Sequence, residues 1–173
     1  MNRSHDAMIF AREAHKDQKR KYTGNPYADH LAEVAGIVAT VIPSPGLGDR
    51  MIAVAWLHDV MEDQGVAHDT LRGLFGTVVA DGVRWLSDLE SGNRATRKRL
   101  SRERLTKAPA WVQTIKAADL ISNTASIVEH DPEFAVTYLD EKHQLLKVLT
   151  LADPRLLEMA RRQIGLTVPS FSG

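Results

Sequence analysis

Four polar residues close an otherwise apolar stretch, and their types and spacing suit metal-assisted hydrolysis. The stretch is Asp49–Gly65, DRMIAVAWLHDVMEDQG. Met51, Ile52, Val54, Ala55, Trp56, Leu57 and Val60 make it apolar on nearly every side, so it is expected to be buried. His58 and Glu62 are four residues apart, as are Asp59 and Asp63, so each pair stacks along a helix. Burying three carboxylates with no cation costs several kcal/mol per charge. A positive group beside them, above all a divalent metal ion, removes that cost.

Two other segments offer polar side chains on apolar faces. His30 falls on a helical stripe with Tyr27, Leu31, Val34, Ile37, Val38 and Val41, and it suits a satisfied core histidine and a metal ligand equally. After Pro109, AWVQTIKAADLISNTASIVEH has an inward stripe of Val112 and Ile115 that continues onto Asp119, Asn123 and Ser126. A metal for Asp119 and a polar ligand for Asn123 and Ser126 would satisfy that row, and an internal hydrogen-bond network is the alternative. Imidazoles and carboxylates together suit Mn²⁺, Fe²⁺, Co²⁺ or Zn²⁺ better than Ca²⁺. The basic run Lys16–Gly24, KDQKRKYTG, is either a solvated helix end or a phosphate clamp. His15 is expected to be a hydrogen-bonded structural residue and His68 an exposed one. His130 and His143 lack a carboxylate at metal-ligand spacing and are expected to be structural or exposed.

The elements that must position these residues are all helical. A first helix is expected over Asp6–Arg20, a second capped by Asn25 with Pro26 at its first position, and the central one from Asp49 to Gly65 after the breaker-rich loop PSPGLG. Further helices are expected over 69–75, 78–89, 94–107 and 109–130, and after Asp131-Pro132 and Asp153-Pro154. The 94–107 helix is strongly basic and is expected to be a solvated face, with a contribution to an anion's field as the lesser alternative. No strand-like alternation competes, so the fold class is all-α with seven to nine helices. One domain is expected over 1–165, with a flexible tail over 166–173.

Bulk numbers remove whole classes of function. The 173 residues are 43% hydrophobic and 25% charged, a globular profile of one-domain size. Lys plus Arg, at 22, balance Asp plus Glu, at 22, which argues against a bulk nucleic-acid binder. With no cysteine there are no disulfides, thiolate metal sites or cysteine nucleophiles. Neither a signal peptide nor an apolar run of membrane-spanning length is present, so a cytoplasmic protein with no membrane partner is expected.

The order His30, His58-Asp59, Asp119 resembles the HD-domain metallophosphohydrolase superfamily. Within it, AREAHKDQKRKYTGNPYADHLAEVA, AWLHDVMED, FGTVVADGVRWL and IKAADLISN resemble the hydrolase domain of RelA/SpoT homologues. The likeness is greatest to the small stand-alone alarmone hydrolases of the metazoan SpoT type. It runs from about Ala11 to Asn123 and more weakly to Tyr138, with no nucleotidyl-transferase or regulatory domain following. The resemblance implies an HD-domain helical bundle holding one divalent metal, typically Mn²⁺, on His30, His58, Asp59 and Asp119. It implies that Glu62 and Asp63 act on the nucleophilic water and the leaving group, and that Arg20, Lys21, Thr23, Asn123 and Ser126 contact the nucleotide. The implied activity is ppGpp 3′-pyrophosphohydrolysis to GDP and pyrophosphate, part of the stringent response. The partner would be a small-molecule nucleotide, with no nucleic acid.

Three departures from the family pattern stand out. The basic loop is one residue longer, leaving either Arg20 or Lys21 as the clamp. Gln64 replaces the usual threonine, and the segment after Asp119 lacks its usual basic residues. Hydrolysis of another nucleotide is a second reading. A non-catalytic HD module binding a nucleotide or a partner protein is a third, although such a module would not need Glu62 and Asp63.

Overall fold

Most of the helices follow the apolar repeat, and the strongly basic 94–106 stretch forms one without it. The computed structural model describes residues 2–167. In chain order these form α1 (Arg3–Ala14), α2 (Tyr27–Ala39), α3 (Pro45–Leu57), α4 (Val60–Gln64) and α5 (His68–Phe75). Then follow α6 (Thr77–Leu86), α7 (Arg94–Thr106), α8 (Ala110–His130), α9 (Pro132–Leu146) and α10 (Pro154–Thr167). The only extended pairing among the described residues is an isolated bridge between Lys19 and Pro26. The all-α expectation therefore holds. Helices α3 and α4 are one helix interrupted at His58–Asp59, and counted so the total lies within the expected range. Helix α10 runs two residues past the expected domain end, and residues 168–173 of the expected tail lie outside the described residues.

α3 is the element around which the others assemble. Ala53, Val54, Ala55 and Leu57 are completely buried, and α1, α2, α6 and α8 all pack on the helix. Small side chains allow the close approach. α1 presents Ala7 and Ala11 to the core, both fully buried. On α6, a Cβ added at Gly82 would lie 2.5 Å from the Trp111 ring and 2.9 Å from Val54, so only glycine fits between α3 and α8 there. α8, the longest helix, packs against α2, α9 and α10 and closes the opposite side. Burial of the Leu, Ile and Val side chains in this single core supplies the main favourable term of folding. No described helix is long and apolar enough to cross a membrane.

Several boundaries differ from the sequence expectations, each for a local reason. The central helix begins at Pro45, four residues before Asp49, because proline suits a first-turn position. Asp49 caps a different helix: its carboxylate accepts the Ser4 N–H at 3.0 Å and pairs with Arg3 at 3.4 Å, at the start of α1. Gly65 ends the central helix as expected, with φ 64° in the left-handed region. α1 stops at Ala14 instead of near Arg20. The basic run beyond it has no apolar face to bury, and it folds back as Arg20 N–H donates to Asn25 O (2.8 Å) and Tyr27 N–H to Gln18 O (2.9 Å). Pro26 therefore occupies the cap position of α2 and Asn25 supplies no side-chain cap. α6 ends at Leu86 instead of Leu89, where Ser87 turns to extended backbone.

Candidate metal centre

Three elements bring His30, His58 and Asp119 to one point, and Asp59 stands beside them, outside that tightest group. α2 supplies His30, the break between α3 and α4 supplies His58 and Asp59, and α8 supplies Asp119. Ligand atoms of His30, His58 and Asp119 lie within 4.8 Å of one another, and all three residues are buried. His30 Nε2 stands 3.3 Å from Asp119 Oδ1 and 3.7 Å from Asp59 Oδ2. His58 Nε2 stands 3.0 Å from Asp59 Oδ2 and 3.7 Å from Asp119 Oδ1. Both Nε2 atoms are buried and make no hydrogen bond. Two imidazole nitrogens facing two carboxylates form a ligand set that fits a divalent ion.

The surrounding contacts orient each ligand. His58 Nδ1–H donates to Ala55 O at 2.7 Å, which leaves Nε2 to face the cluster. His30 Nδ1 lies 2.9 Å from Ser122 Oγ, and Ser122 donates its own proton to Glu33 at 2.8 Å, so His30 Nδ1 is the donor in that pair. Asp59 Oδ2 accepts the Tyr27 hydroxyl at 2.6 Å. Asp119 accepts Lys116 Nζ at 2.8 Å and Asn123 Nδ2 at 2.7 Å. Burial opposes the charge on His58, but Asp59 and Asp119 outweigh it and hold the imidazolium well above its ordinary range. Burial would likewise raise Asp59, yet His58 pulls it down to about 2. Lys116 and the histidines hold Asp119 well below the usual carboxylate range despite its burial. The facing imidazoles and carboxylates attract one another, and a divalent ion between them would take over that role.

Glu62 and Asp63 stand at the outer edge of the cluster. The Glu62 carboxylate accepts the Asp88 N–H at 2.9 Å. Protein packed around it, with Asp88 and Asp59 nearby, pushes it up to about 7 despite its solvent-exposed edge. Asp63 accepts Gln18 Nε2 at 2.8 Å, and Gln18 is contacted in turn by Gln64 and His15. His15 is buried and hydrogen-bonded, as expected of a structural histidine.

The remaining sequence candidates separate into two groups. Arg20 turns inward, with Nη1 donating to Asn123 Oδ1 at 2.9 Å and its guanidinium carbon 6.0 Å from the Tyr27 ring centre. Lys21 turns outward, 76% exposed, over the ring of Tyr22 and 3.9 Å from Asp131. Of the two clamp candidates, Arg20 is the one beside the cluster. Thr23 and Ser126 line a cavity of about 220 Å³ shared with Arg20, His30 and His130. The basic helix α7 is more than a solvated face. Lys98 and Arg104 reach Asp88 at 3.2 and 2.7 Å, and Arg94 reaches Glu141 at 2.6 Å.

Sequence reasoning missed Tyr27, Lys116, Ser122, Asp88 and Gln18. Lys116 was discoverable as a lone cation three residues before Asp119 in an apolar helix, and Ser122 as a polar neighbour of Asn123. Nothing local marks Asp88 or Gln18, whose roles depend on which helices meet.

Comparison with known proteins follows the same architecture. A family model described as an HD domain matches residues 7–145. The chain is 29% identical over 128 residues to the Drosophila melanogaster guanosine-3′,5′-bis(diphosphate) 3′-pyrophosphohydrolase MESH1, covering 73% of this chain and 70% of that one. It is 32% identical over 133 residues to a probable guanosine-3′,5′-bis(diphosphate) 3′-pyrophosphohydrolase of Synechocystis sp., covering 73% of this chain and 17% of the relative. The chain thus spans most of the Drosophila protein but under a fifth of the longer one. A solved structure of a metazoan orthologue of SpoT that hydrolyses ppGpp superposes with a TM-score of 0.86 over 96% of each chain at 23% identity, a likeness of fold. The match begins in α1 and ends in α9, enclosing every element that contributes to the cluster, and the chain belongs to the HD domain family.

Proposed function

We propose that this chain is a metal-dependent phosphohydrolase that removes the 3′-pyrophosphate of guanosine-3′,5′-bis(diphosphate), using water to give GDP and pyrophosphate. The observation that carries the reading is the pair of buried imidazole Nε2 atoms, without hydrogen bonds, facing Asp59 and Asp119. The likeness to MESH1 supports the substrate. Mn²⁺ as the ion, a part in alarmone turnover and a cytoplasmic location belong to the same proposal.

His30, His58, Asp59 and Asp119 would hold the ion. When bound, it supplies Lewis acidity toward water and phosphoryl oxygen. Glu62, titrating at about 7, accepts a proton from the attacking water at neutral pH, and the Asp88 N–H fixes its carboxylate for that task. Asp63, held by Gln18, shares the handling of the water and the leaving group. Arg20 offers a planar guanidinium to phosphate oxygens and is pre-positioned by Asn123. Thr23 and Ser126 line the adjoining cavity, where the nucleoside would lie.

The test is purified protein with Mn²⁺ and ppGpp. GDP and pyrophosphate should appear in equal amounts, and a chelator should stop the reaction. Metal-loaded protein that leaves ppGpp intact defeats the substrate assignment. Turnover of a different nucleotide, or binding without turnover, would then identify which of the other two readings applies.

A further inference from the structure

Beyond the metal centre, between α7, α8 and α9, lies a small cavity whose charges do not balance. It is lined by Asp88, Lys98, Ser101, Lys116, Glu141 and Lys142, among others, and measures about 30 Å³. Its carboxylates are committed. Asp88 already accepts Lys98, Ser101 and Arg104. Glu141 takes both arms of Arg94 at 2.6 and 2.7 Å. Lys116 is taken up by Asp119. Lys142 lies with its ammonium 4.7 Å over the Tyr138 ring, and no hydrogen bond or ion pair to a described residue accompanies that contact. Burial lowers its affinity for a proton, and Lys116 and Lys98 add to this more than Asp119 and Asp88 offset it, bringing it down to about 7. A half-buried lysine beside two other ammonium groups gives up its proton readily, and an anion joining them would hold it charged.

The position of the cavity along α8 says which anion would come. Lys116 lies one turn before Asp119 and Asn123 one turn after it, so cationic groups flank the metal ligand on both sides. Lys116 marks the cavity side, and Arg20, bonded to Asn123, marks the other. At 1.5 Å per residue the two helix positions are about 10 Å apart, the scale of a substrate carrying phosphoryl groups on both sides of the reacting centre. A space of about 30 Å³ holds a water or two, hence the oxygen face of a phosphoryl group but not a nucleoside.

We propose that Lys142, together with Lys98 and Lys116, anchors the terminal phosphoryl group of the substrate's pyrophosphate, and so makes the enzyme favour pyrophosphate esters over monophosphate esters. This rests on the phosphohydrolase reading and adds a specificity residue to it. The Lys142 ammonium donates to the terminal phosphoryl oxygens, and the anion supplies the charge that the cavity lacks.

The experiment is calorimetric titration of Mn²⁺-loaded protein with inorganic pyrophosphate and, separately, with inorganic phosphate. Lys142→Met and Lys142→Gln should each weaken pyrophosphate binding by about 10- to 100-fold, the worth of a hydrogen bond to a charged group, and change phosphate binding far less. Lys142→Arg should restore most of the pyrophosphate affinity. Manganese stoichiometry and far-UV circular dichroism should match the wild type in all three. Equal pyrophosphate affinity in wild type and Lys142→Met overturns the proposal. So do equal losses for both anions, or no pyrophosphate binding by the wild type. Turnover of ppGpp is read in parallel. Lys142-dependent pyrophosphate binding without ppGpp hydrolysis would defeat the substrate assignment alone, and hydrolysis indifferent to Lys142 would defeat the anchor alone.

Discussion

Asp119→Ala tests whether the cluster is one coupled unit. The carboxylate it removes is buried and serves four partners: Asn123 at 2.7 Å, Lys116 at 2.8 Å, His30 at 3.3 Å and His58 at 3.7 Å. Of these, Lys116 matters most for stability, because its ammonium would be left in the core without its counter-ion. Breaking a buried pair from one side costs about 3–5 kcal/mol. Relief of the repulsion between Asp59 and Asp119 offsets part of this, so about 3 kcal/mol is expected for chelator-treated protein. For a chain of this length that corresponds to a fall in Tm of about 6–12 °C. Replacing Lys116 by Met in the same background removes the stranded charge and should recover at least half of the loss, while metal binding stays abolished. Thermal unfolding with and without chelator, and metal content after dialysis against Mn²⁺, measure both effects. An Asp119→Ala protein that melts within about 1 °C of the wild type and retains its metal would refute the coupling of Lys116, Asp119 and the ion.

Three further outcomes follow from the geometry. Tyr27→Phe removes the hydroxyl that holds Asp59 at 2.6 Å and should weaken Mn²⁺ affinity about 10- to 100-fold in a chelator competition, the usual effect of losing a group that orients a ligand. Glu62 titrates at about 7 in the folded protein against an ordinary value of 4.5. The native state therefore binds more protons across that window, and its stability should rise as pH falls from 7 toward 4.5. Glu62→Gln should flatten that slope in urea unfolding of chelator-treated protein, and an unchanged slope would contradict the shift. Gly82→Ala drives a methyl against Trp111 and Val54 and should destabilise by about 1–3 kcal/mol, read as a lower urea midpoint at constant m.

The sequence alone determined the all-α class, the long helix expected over 109–130 and the candidate ligands, because each depends on a short-range repeat. A stripe at 3.6-residue spacing shows that His30 and Asp119 face inward from their helices, and the apolar character of 51–60 on nearly every side buries His58, whatever those helices meet. It also marked Gly65 as a helix end, since a left-handed residue there follows from local backbone sterics. Tertiary structure decided the rest. Asp49 was free to cap its own helix by sequence, and it caps α1 because α1 lies across it. Arg20 and Lys21 are neighbours of the same charge, and only the fold-back at Lys19–Pro26 sends one to Asn123 and the other to solvent. The basic helix α7 looked solvated because its counter-ions, Asp88 and Glu141, come from other elements. Lys142 likewise has no local signature: its charge stands out only when α7, α8 and α9 close around it. Periodicity is written in neighbouring residues, whereas charge balance at a site depends on residues far apart in the chain.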